Sequence, residues 1–245
     1  MKRGFTLAEV LITLGIIGIV AAMTIPNMIA KHRLKVLHTE FLKTYSDLNN
    51  AAKRFEQENG ITAYQHSLNG NSPTDTLKVF MANFIGSKYG QRISSDPDKE
   101  TEGNLSFENA IGFTPKNLAG KKQKSQPCDQ SIITEEVGGR FYSIDDSISV
   151  YQNQPEYGPK ICVDINGRKS PNIYGYDWFV FVFTKEGGVK PYIGNDFLNV
   201  TSAMKNPEIA CSYNYDKVTY TCAYFALTDT SPEDPKQKYW TDFLK

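Results

Sequence analysis

Histidine is scarce: His32, His38 and His66 are the whole supply in 245 residues, and all three fall in or just after one long N-terminal stretch. A catalytic triad or a histidine-rich metal cluster would have to recruit them from that neck, so a role on a helix surface accounts for each of them better. Phosphate-cradling G-x-x-x-x-G-K-[ST], the G-x-S-x-G nucleophile elbow and H-E-x-x-H are all missing, which removes the usual signatures of nucleotide hydrolysis, acyl transfer and zinc proteolysis. There is no net charge either. Lys+Arg 27 against Asp+Glu 27 leaves no global electrostatic case for nucleic acid or anionic lipid. Four cysteines, Cys128, Cys162, Cys211 and Cys222, form no C-x-x-C pair, which argues against zinc. An even number beyond an apolar N-terminal segment instead suggests two disulfides in an exported domain.

What the chain does have is concentrated in its first thirty or so residues, MKRGFTLAEVLITLGIIGIVAAMTIPNMIA. Between Phe5 and Ala30 the one ionisable side chain is Glu9, and about 20 apolar residues suffice for a helix to cross a bilayer core. Three readings compete. A single-pass anchor accounts for the hydropathy. A removed secretory signal accounts for the basic start, Lys2 and Arg3, and for the small residues Val20-Ala21-Ala22. Neither explains Glu9, since a carboxylate in a membrane helix costs about 2.5 to 3.5 kcal/mol on insertion scales.

The third reading explains the acid. Lys2-Arg3-Gly4-Phe5-Thr6-Leu7-Ala8-Glu9 resembles the leader of type IV pilins and type II secretion pseudopilins: a short basic stretch ending in Gly, then an aromatic residue, then Glu at the fifth mature position. The resemblance implies that a membrane prepilin peptidase cuts between Gly4 and Phe5 and methylates the new amine at Phe5. It implies partners as well: other pilin or pseudopilin subunits, and an inner-membrane assembly platform driven by a separate ATPase. In a filament the Glu9 carboxylate of one subunit pairs with the Phe5 amine of its neighbour, so that a costly charge sets register. Pro26 matches the helix-bending proline of these families. The resemblance also settles topology, because Lys31, Arg33 and Lys35 nearly balance Lys2 and Arg3 in positive-inside counting. It puts the amino end in the cytoplasm and the cysteine-bearing body outside the inner membrane.

Past the apolar stretch, Leu37, Phe41, Tyr45, Leu48, Ala52 and Phe55 recur at helical spacing, and Asn59-Gly60 supplies a C-terminal stop. The spacing predicts one helix from Phe5 to about Glu58, on the order of 80 Å long, with its first half in lipid and its second against a globular head. A coiled-coil partner would fit the second stripe by spacing alone. Ser72-Pro73-Thr74-Asp75 starts a short helix ending near Gly86. Residues 87–130 read as a long polar surface loop, in which the basic run Lys121-Lys122-Gln123-Lys124 is a solvated feature, a nucleic-acid or pilus contact being the less favoured alternative. Strand signals follow over 140–151, 160–165 and 177–184, then a Glu186-Gly187-Gly188 hairpin turn into 189–193. The run Asp177 to Phe183 is too apolar for an exposed face, so its strand is predicted to lie inside the sheet.

One loop stands out: Cys162-Val-Asp164-Ile-Asn166-Gly167-Arg-Lys-Ser-Pro171-Asn172-Ile-Tyr-Gly175-Tyr-Asp177-Trp178-Phe179. It resembles a D-x-N-G…P-N…G-x-D-x-F segment that recurs in the sheet region of pilin-like secretion proteins. Turn chemistry, with Asn-Gly and Pro-Asn supplying special backbone angles and Asx hydrogen bonds, accounts for the pattern. Alternatively, oxygens of Asp164, Asn166, Asn172 and Asp177 would wrap calcium, although the spacing is not that of an EF-hand. No other cofactor is called for. Cys211 and Cys222 are near enough in sequence to staple a C-terminal loop, leaving Cys128 for Cys162, but four cysteines permit three connectivities.

These features predict an α+β, pilin-like chain: leader 1–4, transmembrane and polymerisation helix 5–30, amphipathic continuation 31–60 packed on an antiparallel sheet, and an α+β head over 61–245.

Overall fold

The computed structural model describes residues 6–68, 73–83, 92–93, 104–105, 112–122, 133–135, 141–145, 157–167, 169–193, 200–205, 210–214 and 220–244. The chain divides into two compact units, Met1–Val36 and Leu37–Lys245, and helix α1 (Leu7–Asn59) contributes to both.

In the first unit α1 is apolar and uncovered. Leu7, Ile12, Ile17, Met23 and Met28 are all more than 60% exposed, and the helix is long and apolar enough to cross a membrane. The hydroxyls of Thr13 and Thr24 are turned onto the helix's own backbone. Thr13 donates to the carbonyls of Glu9 and Val10 at 2.9 Å, and Thr24 to that of Val20 at 2.9 Å. Such back-bonding satisfies both hydroxyls within the helix itself. Pro26 lies within the helix, which continues through it.

In the second unit the same helix presents the predicted stripe. Leu37, Phe41, Thr44, Leu48, Ala51, Ala52 and Phe55 are buried, and α1 ends at Asn59 with Gly60 in the left-handed region at φ 72°. Two short helices follow, α2 (Ala63–Leu68) and α3 (Pro73–Met81). α3 starts at the predicted proline but stops at Met81 rather than near Gly86; Ser72 and residues 84–86 lie outside the described residues.

The sheet has the order β3-β4-β5-β6-β7, with every neighbouring pair antiparallel. Its strands are β3 (Ile133–Glu135), β4 (Phe141–Asp145), β5 (Tyr157–Asp164), β6 (Trp178–Thr184) and β7 (Val189–Pro191). β6 is buried along its whole length, as its unbroken apolar run requires. Its odd-numbered phenylalanines meet the helices. The Phe41 ring lies 4.6 Å from Phe179 and 5.9 Å from Phe181, Tyr45 stacks on Phe181 at 5.9 Å, and Phe80 of α3 meets Phe183 edge-on at 4.9 Å. β6 turns into β7 through Gly187 and Gly188, at φ 87° and 84°, and Asn49 of α1 accepts the Val189 N–H at 3.0 Å. That bond ties the hairpin to the helix.

Residues 87–130 are not loop throughout. They contain a two-residue parallel pair, β1 (Arg92–Ile93) with β2 (Asn104–Leu105), and Lys116 bridges both Lys122 and Ile173. Single-residue bridges leave no periodic signal, so the sequence did not reveal them. Of the basic run, Lys121 and Lys122 are exposed; Gln123 and Lys124 lie outside the described residues.

After β7 come α4 (Val200–Lys205), α5 (Cys222–Thr228) and a π-helical turn (Tyr239–Phe243). The Trp240 indole N–H donates to the Ala226 carbonyl at 2.9 Å, and its ring lies 5.7 Å from that of Phe41 and 5.9 Å from that of Phe179. The C-terminal turn thereby closes the core on the helix side of the sheet.

Candidate functional site

At the amino end, Thr6 precedes the first helical residue and Glu9 sits in the first turn. The Thr6 backbone N–H and hydroxyl both donate to Glu9 Oε2 at 2.8 Å, and the Glu9 N–H donates back to Thr6 Oγ1 at 3.3 Å. This is a reciprocal capping box: T-x-x-E satisfies N-terminal donors that have no intrahelical partner, and the positive end of the helix dipole favours the acid there. Glu9 is therefore not stranded within its own chain, as the hydropathy argument had it. The T-x-x-E spacing was available in the sequence and was read only as part of the leader. Gly4 and Phe5 lie outside the described residues.

The second candidate is the connection from β5 to β6. Asp164 and Asp177 have no exposed surface. The Asp177 carboxylate accepts from the Ile173 and Asn172 N–H groups, the latter at 2.8 Å, and from the Asn166 amide at 3.2 Å. Asp164 Oδ1 accepts the Asn166 N–H at 3.2 Å. Asn172 and Gly167 adopt left-handed backbone at φ 54° and 69°, so the expected turn chemistry is present. Gly175, at φ 93°, allows no side chain: a Cβ there would stand 2.9 Å from Cys222 Sγ. Its carbonyl accepts the Tyr239 hydroxyl at 2.6 Å. Asp164 is held well above the ordinary carboxylate range, first by burial and then by the neighbouring charge of Asp177. N–H groups of Asn166, Gly167 and the Trp178 indole pull it part of the way back.

Residues 1–25 match the family model described as the prokaryotic N-terminal methylation motif, the cleavage and methylation signal of type IV pilins and pseudopilins. The chain carries a prepilin-type signal. No curated protein and no solved structure matches the chain. A prepilin-type signal implies processing by prepilin peptidase and assembly with other pilin subunits, and with one apolar N-terminal helix it is consistent with a single-pass inner-membrane anchor. It points to a structural subunit.

Other residues of this prepilin-type chain are placed as follows. Cys211 and Cys222 form a disulfide with their Cα atoms 4.8 Å apart. Cys162, fully buried in β5, is disulfide-bonded too, and Cys128 lies outside the described residues. Among the described residues no three His, Cys, Asp or Glu side chains group as metal ligands; the β5–β6 connection offers two carboxylates and otherwise amide oxygens. The histidines do not converge on one site. His66 Nδ1 meets Thr76 Oγ1 at 2.9 Å, His32 lies in the other unit, and His38 stacks on Trp240 at 5.2 Å with the planes 13° apart.

His38 has a measurable consequence. Burial lowers its pKa below 6.5, Asp229 opposes this and Lys238 adds to it. The folded chain thus binds fewer protons at this ring than the unfolded chain does, so stability rises with pH across the window just below 6.5 and falls as acid protonates the imidazole. Melting temperatures of the full chain in detergent should drop more between pH 7 and pH 5 for the native protein than for His38→Phe, which keeps the stacking. Parallel pH profiles would remove His38 as the cause.

Proposed function

We propose that the chain is a pilin-like structural subunit, a pseudopilin or minor pilin, of a type II secretion or type IV pilus filament. The match of residues 1–25 to the methylation signal carries this reading; the uncovered apolar surface of α1 between Leu7 and Ile29 supports it. Prepilin peptidase removes Met1–Gly4 and methylates Phe5. Subunits with their heads outside the inner membrane are then drawn from the bilayer by an assembly platform and a separate ATPase. Each apolar helix exchanges lipid for the helices of its neighbours, and head-to-tail contacts that do not close on themselves propagate a filament. The Phe5 amine of one subunit meets the Glu9 carboxylate of the next.

Mass spectrometry of the purified native chain tests the first step. The expected amino terminus is N-methyl-phenylalanine at Phe5. An intact Met1, or a start at Met23, would overturn the proposal in favour of a membrane-anchored ectodomain acting as an enzyme or ligand-binding domain.

A further inference from the structure

The chain has no net charge, but along α1 its charges are not evenly spread. Between Glu9 and Glu40 there is no Asp or Glu, and the Lys and Arg residues of that interval, Lys31, Arg33 and Lys35, follow the apolar stretch directly, with His32 among them. All four side chains are exposed. Cations at this end of a span oppose the positive-inside bias that orients it. Removal of Met1–Gly4 would sharpen the conflict, since it strips Lys2 and Arg3 from the opposite end. A cluster that works against insertion calls for another use.

Its depth follows from helix geometry, because α1 runs unbroken from Leu7 to Asn59. At 1.5 Å per residue, Lys31 stands about 33 Å and Lys35 about 39 Å along the axis from Glu9. A tilt of about 20° brings these to about 31 and 37 Å. The hydrocarbon core is about 30 Å thick, and the bilayer with its headgroups about 40–45 Å. With Glu9 at one edge of the hydrocarbon, the cations lie in the headgroup layer of the far leaflet, where the phosphates are.

Their directions favour lipid over protein. Each residue turns the helix by about 100°, so Lys31 and Lys35 share one face, Arg33 projects from the opposite face and His32 lies between. A protein partner lying along the helix would meet one face. A single span is surrounded by lipid, which offers phosphate on every side. Arg forms paired hydrogen bonds to phosphate oxygens, and Lys reaches the headgroup level on its flexible stem.

We propose that Lys31, Arg33 and Lys35 form a collar that binds the headgroups of anionic phospholipid in the leaflet on the head side of the membrane. The collar fixes the depth of α1, and it makes withdrawal of the helix from the bilayer about fivefold less favourable per cation. The inference rests on α1 spanning a bilayer and not on the filament reading; it holds whether or not the leader is removed.

The test uses the purified full chain reconstituted into phosphatidylcholine vesicles containing phosphatidylglycerol. Electron spin resonance with spin-labelled versions of the two lipids reads which of them is held at the protein surface. Phosphatidylglycerol should be preferred about fivefold or more at low salt, and the preference should fall below about twofold in 1 M NaCl, where the Debye length is about 3 Å. Lys31→Gln/Arg33→Gln/Lys35→Gln should bring the two lipids to parity, whereas Lys2→Gln/Arg3→Gln should keep the preference. Arg33→Gln alone and Lys31→Gln/Lys35→Gln should each lose part of it, as a collar requires. Urea unfolding followed by Trp178 and Trp240, both in the unit Leu37–Lys245, should be the same in the threefold variant as in the native chain, which separates lost lipid binding from misfolding. A chain that does not enter the vesicles, equal affinity for the two lipids in the native chain, or a preference that survives in the threefold variant would overturn the collar. Loss confined to one face would do so too, in favour of an acidic protein partner.

Discussion

Replacing Glu9 with alanine is expected to abolish filament assembly while removal of Met1–Gly4 continues. In the filament we propose, the acid would exchange its cap on Thr6, where two donors reach Oε2 at 2.8 Å, for a neighbour's amine in a water-poor helix bundle. Removing one partner of such a buried pair costs about 3–5 kcal/mol. At 1.4 kcal/mol per power of ten, that raises the subunit concentration needed for growth by about a hundredfold to several thousandfold. The capping box has a rival claim on the same side chain, since losing a cap costs about 0.5–2 kcal/mol. Glu9→Gln separates the two, because glutamine serves the capping position but carries no charge. Electron microscopy of sheared filaments, with mass spectrometry of the processed chain, should show both variants cleaved and neither assembled. Normal filaments in Glu9→Gln would mean that the cap is what matters.

The parts of the fold that were legible are those where one physical cause acts over many residues. A stripe at helical spacing identified Leu37, Phe41, Tyr45, Leu48, Ala52 and Phe55, all of them buried except Tyr45, which is half-buried. It missed Ala51 and Thr44, the latter a polar residue in line with them, both fully covered. The unbroken apolar run of β6 and the glycine turn after it were equally readable, since burial on both faces and left-handed backbone leave few alternative residues. The C-terminal segment was not. α5 spans seven residues and the turn at Tyr239–Phe243 five, too short for periodicity to register. Both are held by distant partners, Trp240 Nε1 on the Ala226 carbonyl and Tyr239 Oη on the Gly175 carbonyl 64 residues away. In the β5–β6 connection the sequence placed Asp164, Asn166, Asn172 and Asp177 in one loop. The Lys116 segment, which pairs across that loop through the Asn172 and Tyr174 backbone, lies about fifty residues upstream, and no local pattern announces it.

Phe41→Ala is expected to cost the head about 3–5 kcal/mol, within the range for truncating a fully buried phenylalanine. Phe41 has no exposed surface and stands where three elements meet: the outer half of α1, strand β6 through Phe179 at 4.6 Å, and the C-terminal turn through Trp240 at 5.7 Å. Truncation deletes the ring that all of them pack against. Partial collapse is obstructed, because β6 is pinned between β5 and β7 and Trp240 is fixed by its bond to Ala226. A domain's net stability is typically about 5–15 kcal/mol, so the variant would stand near its unfolding threshold. Leu42→Ala supplies the internal control: it is the next residue on the same helix, 43% exposed, and makes the same change to a strong helix former, so its cost should stay within about 1 kcal/mol. Urea unfolding of both full-length variants in non-denaturing detergent, followed by tryptophan fluorescence, reads the difference directly. Equal midpoints would mean that the helix does not seal the core at Phe41.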